Sequence, residues 1–178
     1  MSDGTENISV EDVYSDGGLY GIDVQDHHRK GQSNMEVRLS NIFVRACKNA
    51  VRTANTAGMG HRGLTLRNIA GTDWREGAIP IQVSNTRNVL IDDVRIRAGD
   101  AVDTALVIKN CGNVTIRSAT FEALSVLRET IRIEGWSEVR LRDIYIDTAV
   151  REPIQVAVRY RLQLPGVFHH LRVEGITA

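Results

Sequence analysis

Residues 89–94 read VLIDDV, residues 114–119 read VTIRSA and residues 139–144 read VRLRDI, three copies of one pattern spaced 25 residues apart. In each, two apolar positions lie two apart and a third follows after three more: Val89-Ile91-Val94, Val114-Ile116-Ala119 and Val139-Leu141-Ile144. Leu64-Leu66-Ile69, Val37-Leu39-Ile42 and Ile8-Val10-Val13 precede them, and Leu171-Val173-Ile176 follows. Successive first positions are therefore separated by 29, 27, 25, 25, 25 and 32 residues. A second pattern, apolar-x-apolar before a short turn, recurs between these copies as Ile22-Val24, Val51-Thr53, Ile81-Val83, Leu106-Ile108, Ile131-Ile133 and Ile154-Val156. Each repeat thus holds at least two short strands.

Alternation over three to five residues gives a strand with one buried and one exposed face. A repeat of 25 residues is shorter than the ~30 or more that a helical crossover between parallel strands needs. Leucine-rich repeats have a similar length, but here Val plus Ile number 35 against 12 Leu, and β-branched residues favour a pleated, buried stack. Two residues beyond the second pattern stand Asp26, Asn55, Asn85, Asn110 and Gly135, types that tolerate the left-handed backbone of a sharp bend and can bond from coil to coil. The expected fold is all-β: a right-handed parallel β-helix of about six to seven coils, each stacked about 4.8 Å above the last. Residues 1–178 form one such domain. Neither end carries the polar cap a solenoid needs, so the expectation is part of a longer β-helix, or ends that pair in a homo-oligomer.

Composition narrows the partners. With 22 basic and 22 acidic residues, the chain lacks the excess of cations by which proteins grip nucleic acid or an anionic membrane. No apolar run approaches the ~20 residues of a membrane span, and the start MSDGTEN is no secretory signal; the expected location is extracellular or periplasmic, with any export signal removed or upstream. Cys47 and Cys111 have no metal-ligand spacing and read as free, buried thiols. No cofactor and no metal site are expected, since the adjacent acids Asp92 and Asp93 on a strand do not converge.

The first two coils spend extra residues in DHHRKGQSNME (26–36) and NTAGMGHRG (55–63), and long loops of a solenoid gather on one face and carry function. They hold Asp26, His27, His28 and His61 with Arg29, Lys30 and Arg62, the densest titratable cluster in the chain, suited to acid/base or anion-binding chemistry; a solvated polar loop is the plainer account. The outward positions beside it stack as Asp23, Arg52, Gln82, Val107, Arg132 and Gln155. Asp23 beside Arg52 is an ion pair that keeps the acid ionised, or a plain surface ladder pair. Acids ahead of these strands, among them Asp16, Glu76, Asp103 and Glu129, offer candidates for the paired carboxylates of glycoside hydrolysis. Tyr14, Phe43 and Tyr145 share one outward ladder, and Trp74 lies in the insertion GTDWREG, where an aromatic face can stack on a sugar ring.

From Ser15 to about Asn85 the chain carries Gly21-Ile22-Asp23-Val24, then EVRLSNIFVRACKNAVRT, a Gly-rich insertion and GLTLRNIAGTDWREGAIPIQV. This run resembles the later coils of polygalacturonase-type glycoside hydrolases in the pectin-lyase-like β-helix superfamily. The resemblance covers about 40% of the chain. It implies a substrate-carboxylate role for Arg52, in a segment that in the family reads Arg-Ile-Lys; Thr53 and Ala54 stand in place of the last two. The family's catalytic Asn-Thr-Asp and Asp-Asp motifs are not in the sequence and would lie upstream of Met1.

The expected function is binding or cleavage of an extended polysaccharide, with the 19 arginines suited to an acidic one. Asp23, Asp26, His27 and His28 are the catalytic candidates, and Arg52, His61 and Trp74 the substrate-binding ones. The alternative is a noncatalytic structural segment of an adhesin, tailspike or scaffold.

Overall fold

The computed structural model describes residues 5–26, 34–55, 60–123, 129–134, 139–148 and 171–177. The described residues form twelve strands in chain order: β1 Glu6–Asp16, β2 Tyr20–Asp26, β3 Met35–Arg45, β4 Asn49–Asn55, β5 His61–Thr72, β6 Ile81–Ser84, β7 Thr86–Ala98, β8 Thr104–Lys109, β9 Gly112–Ala123, β10 Glu129–Glu134, β11 Val139–Thr148 and β12 Leu171–Thr177. Among the described residues there is no helix. The strands form two parallel sheets, ordered β1-β3-β5-β7-β9-β11-β12 and β10-β8-β6-β4-β2. Each chain turn therefore lays one long and one short strand on those of the turn before.

Register follows the apolar template. Ile8, Val37, Leu64, Val89, Val114, Val139 and Leu171 are partners in one column, so all seven copies stack. The chain is a parallel β-helix. Seven strands lie in the first sheet but five in the second, so about five coils have both walls, fewer than the six to seven expected. The first template alone overcounts, because a closed coil also needs a strand of the second sheet, and Ile154-Val156 lies outside the described residues.

The odd spacing of the template has a backbone cause. Asp12, Asn41, Asn68, Asp93, Ser118 and Asp143, each just before the third apolar position, have left-handed backbone with φ of 51–58°. One residue in that conformation adds an extra step and bends the strand, as a bulge does, so alternation restarts one residue late. In β3 the buried positions are accordingly Val37, Leu39, Ile42 and Val44. Asn and Asp adopt this conformation at least cost, and their side chains link coils: Asn41 Nδ2 donates to Asp12 Oδ1 at 2.9 Å and Asn68 Nδ2 to Asn41 Oδ1 at 2.9 Å. A second ladder joins Asn113 Nδ2 to Asn88 Oδ1 at 3.0 Å. The turn residues Asn85 and Asn110 are left-handed as expected.

Inside, Leu39, Leu66, Ile91 and Ile116 form one column at 0% exposure, each contributing about 1.5–3 kcal/mol by burial. Cys47 and Cys111 are free and buried, as expected. Thr53, an inward position of β4, is polar and satisfied: its hydroxyl donates to Ser84 O at 3.1 Å and accepts from Ser84 N at 2.7 Å. No helix among the described residues is long and apolar enough to cross a membrane.

Candidate functional site

Alternation in β2 and β4 turns Ile22, Val24, Val51 and Thr53 inward, which leaves Asp23 and Arg52 facing out as direct partners. The outward column continues through Gln82, Val107 and Arg132, the order expected from the sequence, but Val107 is buried. Arg52 grips Asp23 with two parallel bonds, Nε to Oδ1 at 3.1 Å and Nη2 to Oδ2 at 2.9 Å. The Gln25 amide also donates to Asp23 Oδ2. Side-chain exposures of 25% for Arg52 and 14% for Asp23 put the pair in the face of the sheet rather than out in solvent. A bidentate, half-buried fork of this kind is the strong form of an ion pair.

Tyr20 completes the arrangement. The Arg52 guanidinium carbon sits 4.2 Å above the centre of the Tyr20 ring, so the cation is held on one side by a carboxylate and on another by an aromatic face. Hydrogen bonding to Asp23, ahead of the Coulombic pull of the same acid, pushes the Arg52 pKa further up, and the group stays cationic at every accessible pH. Further along the same face Arg132 donates to Thr104 Oγ1 at 2.9 Å and approaches Glu134 at 3.7 Å, and Lys109 approaches Glu134 at 3.6 Å. Sequence reasoning missed Tyr20; its place two residues before Ile22 was the available signal.

The two insertions meet, at least at their ends. Asn34, from the first, is fully buried, and His61, from the second, is 4% exposed. Asn34 N donates to His61 Nδ1 at 3.3 Å, and His61 Nε2 bonds Ala54 O at 3.0 Å, which fixes the neutral ring with its proton on Nε2. Asn34 Oδ1 accepts from Thr5 N at 3.2 Å and Nδ2 donates to Gln25 O at 3.0 Å. One amide thus ties the first coil, the end of β2 and the second insertion together. His61, expected to touch substrate, is by this geometry an internal strut with both ring nitrogens engaged. Asn34 had no sequence signal beyond its type.

Trp74 also lies elsewhere than expected. It is 7% exposed within the core cluster, with Nε1 donating to Arg97 O at 2.9 Å. Gly71 makes room for it, since a Cβ there would stand 2.4 Å from the indole. The indole face is spent on packing and offers no platform for a sugar. Asp26 ends β2, opposite Asn55, while His27 and His28 lie outside the described residues. Asp16 pairs with Arg45 at 2.6 Å in the first sheet, on a different wall from Asp23. Among the described residues no group of three or more His, Cys, Asp or Glu is placed to hold a metal ion.

Compared with protein-family models, curated proteins and solved structures, the chain matches none. The parallel β-helix thus rests on the register itself.

Proposed function

We propose that this β-helix binds an extended polysaccharide along the outer face of β2, β4 and β6, with Arg52 as the anchor for an acidic group of the ligand. The observation that carries this reading is the Tyr20–Arg52–Asp23 constellation. It holds a guanidinium in one orientation, with Nη1 uncommitted to Asp23, so that little rotamer entropy is lost on binding. A polymer laid along the coils meets a new rung about every 4.8 Å, and Gln82 stands on the rung beyond Arg52. An extracellular or periplasmic location, where extended polysaccharides are met, is part of this proposal. The bidentate grip holds Asp23 in one orientation; in a cleaving version, Asp26, His27 and His28 would supply the proton transfers.

The structural alternative also has an observation in its favour: cross-coil charges on both sheets neutralise one another, Arg45 with Asp16 and Arg117 with Asp92 on the seven-stranded sheet and Arg52 with Asp23 on the five-stranded one. Binding isotherms on polygalacturonate, xylan and heparin decide between them, with reducing-end release and unsaturated-uronate absorbance followed in the same samples. The expected result is saturable binding of an acidic polymer, weakened about tenfold or more by Arg52→Ala. Absence of binding to every polymer sinks the proposal in favour of a structural segment. Release of reducing ends that a His27/His28 double alanine variant abolishes would extend it to a glycoside hydrolase, or to a lyase where the absorbance rises too.

A further inference from the structure

The described residues expose four large hydrophobic side chains, Tyr14, Leu19, Phe43 and Tyr145. Three of them lie in a single outward column of the seven-stranded sheet, which runs Tyr14, Phe43, Ala70, Arg95, Thr120, Tyr145. Tyr14 and Phe43 are 63% and 40% exposed, and their rings stack with centroids 5.7 Å apart and planes 9° from parallel. Two large rings left this open on a surface cost free energy unless something covers them. At the third rung the column drops to the methyl group of Ala70. The next side chain, Arg95, is 70% exposed and paired with Asp93 at 3.2 Å.

With rungs about 4.8 Å apart, the vacated rung leaves about 9.6 Å between the Phe43 and Arg95 rungs. Allowing for the half-thickness of each neighbour, that is the height of one saturated six-membered ring. The next outward column supplies hydrogen-bonding groups beside the gap. Arg45 is bonded to Asp16, and Thr72 adjoins Arg45 on the rung of Ala70. Below, Gly71 rests on the buried indole of Trp74, which fixes the backbone under the gap.

From this juxtaposition we propose a second carbohydrate subsite, separate from Arg52 and on the other sheet, in which one pyranose ring of the ligand occupies the rung of Ala70. Its C–H face stacks on Phe43, and its hydroxyl edge meets Arg45 and Thr72. An aromatic face beside hydrogen-bonding side chains suits a ring with one apolar C–H face and one hydroxyl edge. The subsite rests on the polysaccharide reading of the protein, and the variants below separate the two.

The experiment measures affinity for oligomers of galacturonate and of xylose by calorimetry, with thermal melting in parallel. Phe43→Ala lowers affinity about tenfold and Phe43→Trp restores or improves it. Ala70→Leu fills the rung, so affinity falls by a similar factor while the melting temperature holds or rises. Arg52→Ala serves as the reference for the other sheet. If Phe43→Ala and Ala70→Leu stay within about twofold of the parent chain while Arg52→Ala loses binding, the subsite is overturned and the polysaccharide reading survives. If the parent chain binds neither oligomer, both are overturned. If Ala70→Leu raises the melting temperature with affinity intact, the column is a packing device and the subsite falls.

Discussion

Val94 and Val13 occupy the same position of the apolar template, yet Val94 is fully buried and Val13 only partly so. Val94 lies on β7, in the middle of its sheet, with a strand on either side; Val13 lies on β1, at the edge. The same side chain in the same local pattern is worth different amounts, because in a solenoid burial comes from neighbouring coils. Charge differs between regions as well. The first 28 residues hold seven carboxylates and no Lys or Arg, whereas residues 29–62 hold seven Lys and Arg and one carboxylate. Laid one above the other, these segments form the cross-coil pairs Asp16–Arg45 and Asp23–Arg52. The middle coils bury the template from both sides and carry cross-coil pairs such as Arg117–Asp92, whereas β1, at the edge of the sheet, has one strand beside it and relies more on charge complementarity with the next coil.

The widest gap between the regions should come from matched core truncations. Val94→Ala is expected to cost about 2–3 kcal/mol and Val13→Ala about 1 kcal/mol or less, read from urea unfolding with unchanged m-value; equal costs would mean that the edge of β1 is covered in solution. Next in size is the bend ladder. Asn41→Ala loses both inter-coil bonds and places Ala at φ of 55°, for about 1–2 kcal/mol. Asn41→Gly keeps the backbone and loses only the bonds, so the smaller loss in Gly separates the two contributions.

A smaller effect is electrostatic. Asp92 is bonded to Arg117 at 2.8 Å and lies 3.6 Å from Arg67, with 14% side-chain exposure. The hydrogen bond from Arg117, ahead of the Coulombic pull of the two arginines, holds its pKa below the ordinary carboxylate value. A carboxylate depressed in the folded state stabilises above its unfolded pKa of about 3.9, and that contribution fades as pH falls toward the lowered value. Arg117→Ala should therefore cost about 1 kcal/mol at neutral pH and progressively less below about pH 4; a pH-independent difference would assign the loss to packing of the arginine stem. Asp16, likewise lowered by Arg45, is more exposed, and Arg45→Ala should show a weaker dependence. The smallest change expected is in the core thiols. Burial pushes the Cys111 pKa up to about 11, so a disulfide reagent at mildly alkaline pH should label Cys111 only after denaturant is added. Native labelling would show that the middle coils open locally.

Much of this was readable before any coordinates. The seven copies of the first template set the register of the long strands and with it the shared ladder of Tyr14, Phe43 and Tyr145, and the copies of the second template set the column of Asp23, Arg52, Gln82, Val107 and Arg132. Strand alternation with a fixed repeat length determines which residues are neighbours, since each side chain meets its counterpart one coil away. The burial of individual groups was not readable in the same way. Trp74 and His61 have types and loop contexts that suggest exposure, but Gly71 admits the indole and Asn34 reaches across 27 residues to the imidazole. Those contacts depend on which turn closes over which gap, and a one-dimensional repeat carries no information about that.

The sequence alone determined the parallel β-helix, its register and its outward columns, because periodic burial is a local property summed over many similar coils. Only the tertiary structure decided which outward groups are locked. The fork of Arg52 on Asp23, its seat on Tyr20, the internal role of His61 and the empty rung at Ala70 depend on side-chain reach, a few ångströms that spacing in sequence does not specify.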